Sequence, residues 1–156
     1  MKLLFLILGF QALFTSDLKE VDESFFDNSL VIVLNSPYCS DCLDIIEKSS
    51  YLWKEKLNTI VITKSVKKKK SAQVAAFELK KKLKYNEILF VESSPRNFMS
   101  NIKFRDTEIS KSPAIIIRYQ DKEVLLMFDD LFAKKYTPKS VAETIKLKLK
   151  ELDVIE

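Results

Sequence analysis

Apolar runs separated by polar breaks divide the chain into alternating strands and helices. The clearest signal is Leu30-Val31-Ile32-Val33-Leu34, a continuous run without a polar face. Such a run predicts a strand buried on both sides. Upstream, residues 21–28 predict a short helix, with Asp22 as N-cap and Phe25 and Phe26 as its apolar side. Downstream, Asn35-Ser36-Pro37-Tyr38 breaks the pattern. From residue 40 to 57, Leu43, Ile46, Leu52 (beside Trp53) and Leu57 recur at roughly helical spacing, and Asn58 stands where a helix would end.

Residues 59–63 predict a second strand, 71–84 a helix with Val74, Phe77 and Leu83 among its apolar positions and Asn86 at its end, and 88–91 a third strand. Pro95 opens a short predicted helix running through Phe98, Ile102 and Phe104. Residues 114–119 and 123–128 are joined by Gln120-Asp121-Lys122 and predict a hairpin. Thr137-Pro138-Lys139 starts a last helix, with Val141, Ile145, Leu149 and Leu152 along one face. The order implies an α/β fold: a mixed sheet flanked by helices on both faces.

The N-terminus reads differently. Met1-Lys2 precedes an apolar block over residues 3–8, extended by Phe10, Ala12, Leu13 and Phe14 and closed by Thr15-Ser16. This is the layout of a secretory signal peptide, and it is short of the ~20 residues that span a bilayer. Residues 1–16 are therefore expected to be the signal and 17–156 the folded domain. Phe14 is a poor residue at the −3 position for cleavage after Ser16, so an uncleaved anchor and a buried N-terminal element stay open. A signal implies the secretory pathway, in the endoplasmic reticulum lumen or secreted, where disulfides form. The end Asp153-Val154-Ile155-Glu156 is no Lys-Asp-Glu-Leu signal, and nothing separates retention from secretion.

Composition narrows the chemistry. The chain has no His, two Cys and one Gly, Gly9. Triads, Cys-His pairs and His metal sites are excluded. Two Cys without His cannot close a four-ligand zinc site, and the later sequence has no glycine loop to cradle phosphate. The formal net charge of +4 comes largely from Lys clusters at residues 67–70 and 80–82, with Lys84. Such runs read as solvated faces. No nucleic-acid partner is expected, and a membrane only through an uncleaved N-terminus.

What remains is Cys39-Ser40-Asp41-Cys42, directly after a buried strand and at the start of an amphipathic helix. Unpaired N–H groups and the helix dipole at that point favour an anion, which makes Cys39 the attacking thiolate. Cys42, one turn in, would resolve a mixed disulfide. An inert pair or a permanent staple is the competing reading. Asp129-Asp130 reads as a solvated turn, Glu92 and Arg96 as surface, and Tyr51 and Trp53 as rim or core aromatics.

The stretch LVIVLNSPYCSDC, residues 30–42, resembles the strand and active-site loop of the thioredoxin superfamily, with protein disulfide isomerases as similar secretory relatives. Residues 109–117, with Ile109 four before Pro113, resemble the family's segment that carries a cis-proline facing the cysteines. Tyr38 takes the usual aromatic position. The resemblance spans roughly residues 21–152. It implies a thioredoxin-like fold and thiol–disulfide exchange on cysteine-containing client proteins. Cys39 and Cys42 would be catalytic, Tyr38, Ser112 and Pro113 would bind substrate, and no cofactor beyond the dithiol would be needed. Ser40 and Asp41 replace the usual Gly-His or Gly-Pro, and Asp41 should disfavour a thiolate. Val33 stands where relatives hold a buried acid. A strand–helix unit within about residues 59–92 is inserted, and either residues 59–63 or 88–91 supply its strand. These departures leave a second function open: a thioredoxin-fold binding or chaperone adaptor with a weak or purely structural Cys pair.

Overall fold

The computed structural model describes residues 13–15, 21–35, 39–65, 69–92, 101–133 and 136–156. Its strands are β1 (Leu13–Phe14), β2 (Ser29–Leu34), β3 (Asn58–Ser65), β4 (Glu87–Glu92), β5 (Ile102–Phe104), β6 (Thr107–Ile109), β7 (Ala114–Tyr119) and β8 (Lys122–Leu126). Its helices are α1 (Ser40–Ser49), α2 (Lys69–Lys80), α3 (Phe128–Phe132) and α4 (Pro138–Glu151). Six strands form a mixed sheet in the order β1-β4-β3-β2-β7-β8, and β5 and β6 form a separate hairpin. β2, β3 and β4 are parallel, while β7 runs antiparallel to β2.

β2 is buried at every position because it lies inside the sheet with both faces covered. Leu30, Ile32 and Leu34 join a core with Leu43 and Ile46 of α1, Leu79 of α2 and Ile145 of α4. Val31 and Val33 face the other way, against Phe26, Ile102 and Ile109. The strand period of two thus feeds two cores from one apolar run. β3 lies beside β2, and β4 lies between β3 and β1, so the α2–β4 unit extends the sheet beyond β3.

Several predicted elements shift. The helix expected over residues 40–57 stops at Ser49, whose hydroxyl donates back to Ile45 O at 3.2 Å, and continues as a 3-10 turn, Ser50–Leu52. Such back-bonding competes with the helical ladder. Trp53 then turns into the core, its indole N–H donating to Thr59 Oγ1 at 3.0 Å, and Asn58 opens β3 rather than ending a helix. α2 ends four residues before the expected boundary, and Val74 and Phe77 are 56% and 63% exposed. Among its described side chains, the large ones that are buried lie at the C-terminal end, at Leu79 and the following Leu83.

The helix expected from Pro95 gives way, in its described part, to β5. Ile102 and Phe104 are buried around exposed Lys103, a period of two, and Arg105 turns the chain at φ 52°. Residues 93–100, with Pro95, Arg96 and Phe98, lie outside the described residues. The helix expected over residues 21–28 is a 3-10 turn, Glu23–Phe26. Residue 128 belongs to α3 rather than to a strand. The Asp130 carboxylate accepts the Met127 N–H at 2.8 Å, so Asp129-Asp130 forms the first turn of a helix.

With so little glycine, left-handed turns fall to Asn28, Arg105, Gln120 and Asp153, at a cost of about 1 kcal/mol each. Asn28 and Gln120 support one another: the Asn28 side-chain oxygen accepts the Gln120 N–H at 3.2 Å.

Of the expected signal segment, residues 13–15 are described. Leu13 is fully buried, β1 pairs antiparallel with β4, and Leu13 O accepts the Val21 N–H at 3.2 Å. Leu13→Ala is therefore expected to destabilise the full chain by about 2–3 kcal/mol in urea unfolding. A change below ~0.5 kcal/mol, the scale of a surface substitution, would mean that β1 contributes nothing to the folded unit. Among the described residues no helix is long and apolar enough to cross a membrane.

Candidate redox site

Cys39 is the N-cap of α1, with extended backbone at φ −74° and ψ 106°. Its sulfur accepts the Cys42 N–H at 3.2 Å, as a capping oxygen would. Cys42 lies one turn in and is fully buried, while Cys39 is half-buried. The two are joined in a disulfide with Cα atoms 5.2 Å apart. The more accessible sulfur therefore sits where a helix start favours negative charge. On reduction, the same N–H and dipole would hold a Cys39 thiolate.

Ser40 and Asp41 are exposed in the first turn. Ser40 Oγ accepts a hydrogen bond from Lys82 Nζ at 2.8 Å, across 42 residues of sequence. Tyr38 lies outside the described residues, as do Ser36 and Pro37.

The Ser112-Pro113 peptide bond is cis, and both residues are buried. Ala114 pairs with Val33, so Pro113 stands at the end of the sheet from which the Cys segment leaves β2. The Ser112 hydroxyl donates to Asn35 O at 3.1 Å. The two segments of the site are thus tied together by their own chain.

Asn35 is the residue that sequence reasoning passed over. It is 4% exposed. Its side-chain oxygen accepts the Ile102 N–H at 3.2 Å, and its amide donates to Ile109 O. One side chain therefore holds both strands of the β5–β6 hairpin against the end of β2. The available signal was a single amide directly after an all-apolar strand, in a place where its polar groups had to find partners.

Val33 lies in the apolar core, and among the described residues no Asp or Glu is buried. No buried carboxylate is thus available there to move protons to and from Cys42. The resolved pKa shifts lie on the β3–α2–β4 side. Burial pushes the Tyr85 phenol up, where it donates to Ala76 O at 2.7 Å, and burial pulls the Lys64 ammonium down. The remaining candidates are surface or core groups. Asp129 pairs with Lys111 at 2.9 Å, Tyr51 is exposed and Trp53 is buried. Among the described residues no three His, Cys, Asp or Glu side chains cluster to hold a metal.

No protein-family model matches the chain, and no curated sequence is similar to it. Solved structures are. A thioredoxin-like protein from Porphyromonas gingivalis shares 21% identity over 91% of this chain and 88% of that one, with a TM-score of 0.55. A secreted Mycobacterium tuberculosis disulfide oxidoreductase homologous to E. coli DsbE shares 9% over 90% and 96%, with a TM-score of 0.53. Arabidopsis thaliana ScoI with copper bound shares 15% over 93% and 99%, with a TM-score of 0.57. At these identities the likeness is one of fold, and the fold is thioredoxin-like: a mixed sheet flanked by helices.

Proposed function

We propose that the chain is a thiol–disulfide oxidoreductase acting on cysteines of other proteins in an extracytoplasmic compartment. The observation that carries this reading is the Cys39–Cys42 disulfide at the start of α1. Its half-buried first sulfur caps the helix, at the same end of the sheet as the cis Ser112-Pro113 bond. The secreted state of the Mycobacterium tuberculosis protein and the apolar N-terminus support the compartment.

In the reducing direction, the Cys39 thiolate attacks one sulfur of a client disulfide. A bond forms from Cys39 to that sulfur, and the other client sulfur leaves as a thiolate. Cys42, after losing its proton, attacks Cys39 and releases the second client thiolate. The client gains two electrons, and the pair returns to the disulfide. Oxidation of a client dithiol is the reverse. With Val33 in place of an acid, deprotonation of Cys42 depends on water or on Asp41, and the resolving step should be slow.

A disulfide-isomerase role is the finer form of this proposal. It requires Cys39 to leave mixed disulfides as readily as it enters them. Copper belongs to the printed description of the plant protein and is no part of this proposal. The adaptor reading draws support from the missing buried acid.

The reduced full chain should accelerate cleavage of the interchain disulfides of insulin by dithiothreitol, read as turbidity, and should recover activity from scrambled ribonuclease. A rate equal to that of dithiothreitol alone would remove the oxidoreductase reading. Insulin cleavage without ribonuclease recovery would remove only the isomerase form.

A further inference from the structure

We propose that Lys82 is a positioning residue for the redox pair: its ammonium, tethered to Ser40, raises the thiolate fraction of reduced Cys39. The inference rests on the oxidoreductase reading, because it concerns the reactivity of that same sulfur.

The segment after α2 is fixed against α1. Leu79 and Leu83 are buried in the core that holds Leu43 and Ile46. The Lys84 N–H donates to Glu47 Oε2 at 2.8 Å. From this anchored stretch Lys82 reaches the first residue of α1, and its Nζ donates to Ser40 Oγ at 2.8 Å. Ser40 directly follows Cys39. A positive charge is thus held at the helix start, on the residue next to the one whose sulfur becomes an anion on reduction.

The other charges around the site are mostly committed. Asp44 pairs with Lys48 at 2.6 Å, Glu78 with Lys81 at 2.8 Å and Asp129 with Lys111 at 2.9 Å. Glu47 is bonded to the Lys84 N–H. Lys82 instead meets a neutral hydroxyl, so that contact leaves its charge whole. Asp41, exposed in the same turn, acts with the opposite sign. Lys82 therefore offsets the carboxylate that the motif itself introduces. Reduction adds two electrons and two protons to the disulfide, and loss of one proton yields the thiolate. Stabilising that thiolate lowers the Cys39 pKa and makes the disulfide easier to reduce.

The test uses the full chain, reduced with dithiothreitol and desalted. The rate of iodoacetamide alkylation at Cys39 is followed against pH by mass spectrometry. In K82Q the midpoint should rise by roughly 0.5 pH unit, the size expected of one solvent-exposed charge nearby. Below the midpoint, alkylation should then be about threefold slower. K82R should keep the wild-type midpoint, D41N should move it down, and 0.5 M NaCl should shrink the K82Q difference. A K82Q midpoint equal to wild type at low salt overturns the proposal. So does a K82R midpoint that rises as far as that of K82Q, since the effect would then not be one of charge. Alkylation needs neither a client nor turnover, so this result is independent of whether insulin is cleaved.

Discussion

Cys39→Ser should reduce client disulfide exchange to the uncatalysed background, a loss on the order of 10³-fold or more, as expected when a covalent nucleophile is removed. Cys42→Ser should behave differently. Cys39 still attacks, but nothing resolves the product, and a client–Cys39 mixed disulfide should accumulate as a higher band on a non-reducing gel that dithiothreitol removes. The asymmetry follows from position: Cys39 is the half-buried cap and Cys42 is enclosed one turn in. Unfolding would not account for the loss. The disulfide closes a sequence separation of 3, and loop closure of that size is worth only about 2 kcal/mol. Both variants should therefore keep the wild-type circular dichroism spectrum. If Cys39→Ser retains client binding and the cellular role of the protein, the fold serves as an adaptor and the Cys pair is a staple.

The second large effect is expected at Asn35. Truncation to Ala would strand the Ile102 N–H and the Ile109 carbonyl, both of which bond to the buried amide. Each unsatisfied buried group costs about 1–3 kcal/mol, so stranding two should lower the stability of Asn35→Ala by roughly 2–6 kcal/mol in urea unfolding. The Asn35 backbone carbonyl, which accepts the Ser112 hydroxyl beside the cis-proline, survives the truncation, so activity should fall in proportion to the unfolded fraction. Asn101→Ala is a suitable control: its amide makes an exposed bond to Glu108 across the same hairpin, and the change should stay within ~0.5 kcal/mol. A loss no larger than this control at Asn35 would mean that water replaces its contacts.

The parts of the fold legible in the sequence were those with a long, regular pattern. β2 announced itself through five consecutive apolar residues, and α4 through Val141, Ile145 and Leu149 on one face behind a Thr137 cap. The Cys pair was legible through its place between a buried strand and a helix, and the cis-proline segment through resemblance. Short elements were not: Ile102 and Phe104 fit a helix or a strand equally well, and only pairing with β6 separates the two. Val74 and Phe77 looked like core because periodicity counts apolar residues without knowing which face is covered. The partners of Asn35 and Lys82 were not legible, for a different reason. Their roles depend on contacts across 74 and 42 residues, and no local pattern encodes which backbone or hydroxyl a polar side chain will meet. The same two residues complete the site: one fixes its frame, the other its charge.

Whether Cys39 and Cys42 are a working redox pair is decided by a titration of the full chain against reduced and oxidised glutathione. The expected result is a reversible two-electron transition with a midpoint between about −270 and −120 mV, the range of related exchange-active dithiols. A pair that stays oxidised through that range, with a midpoint below about −300 mV, would be a structural bridge and not a redox centre.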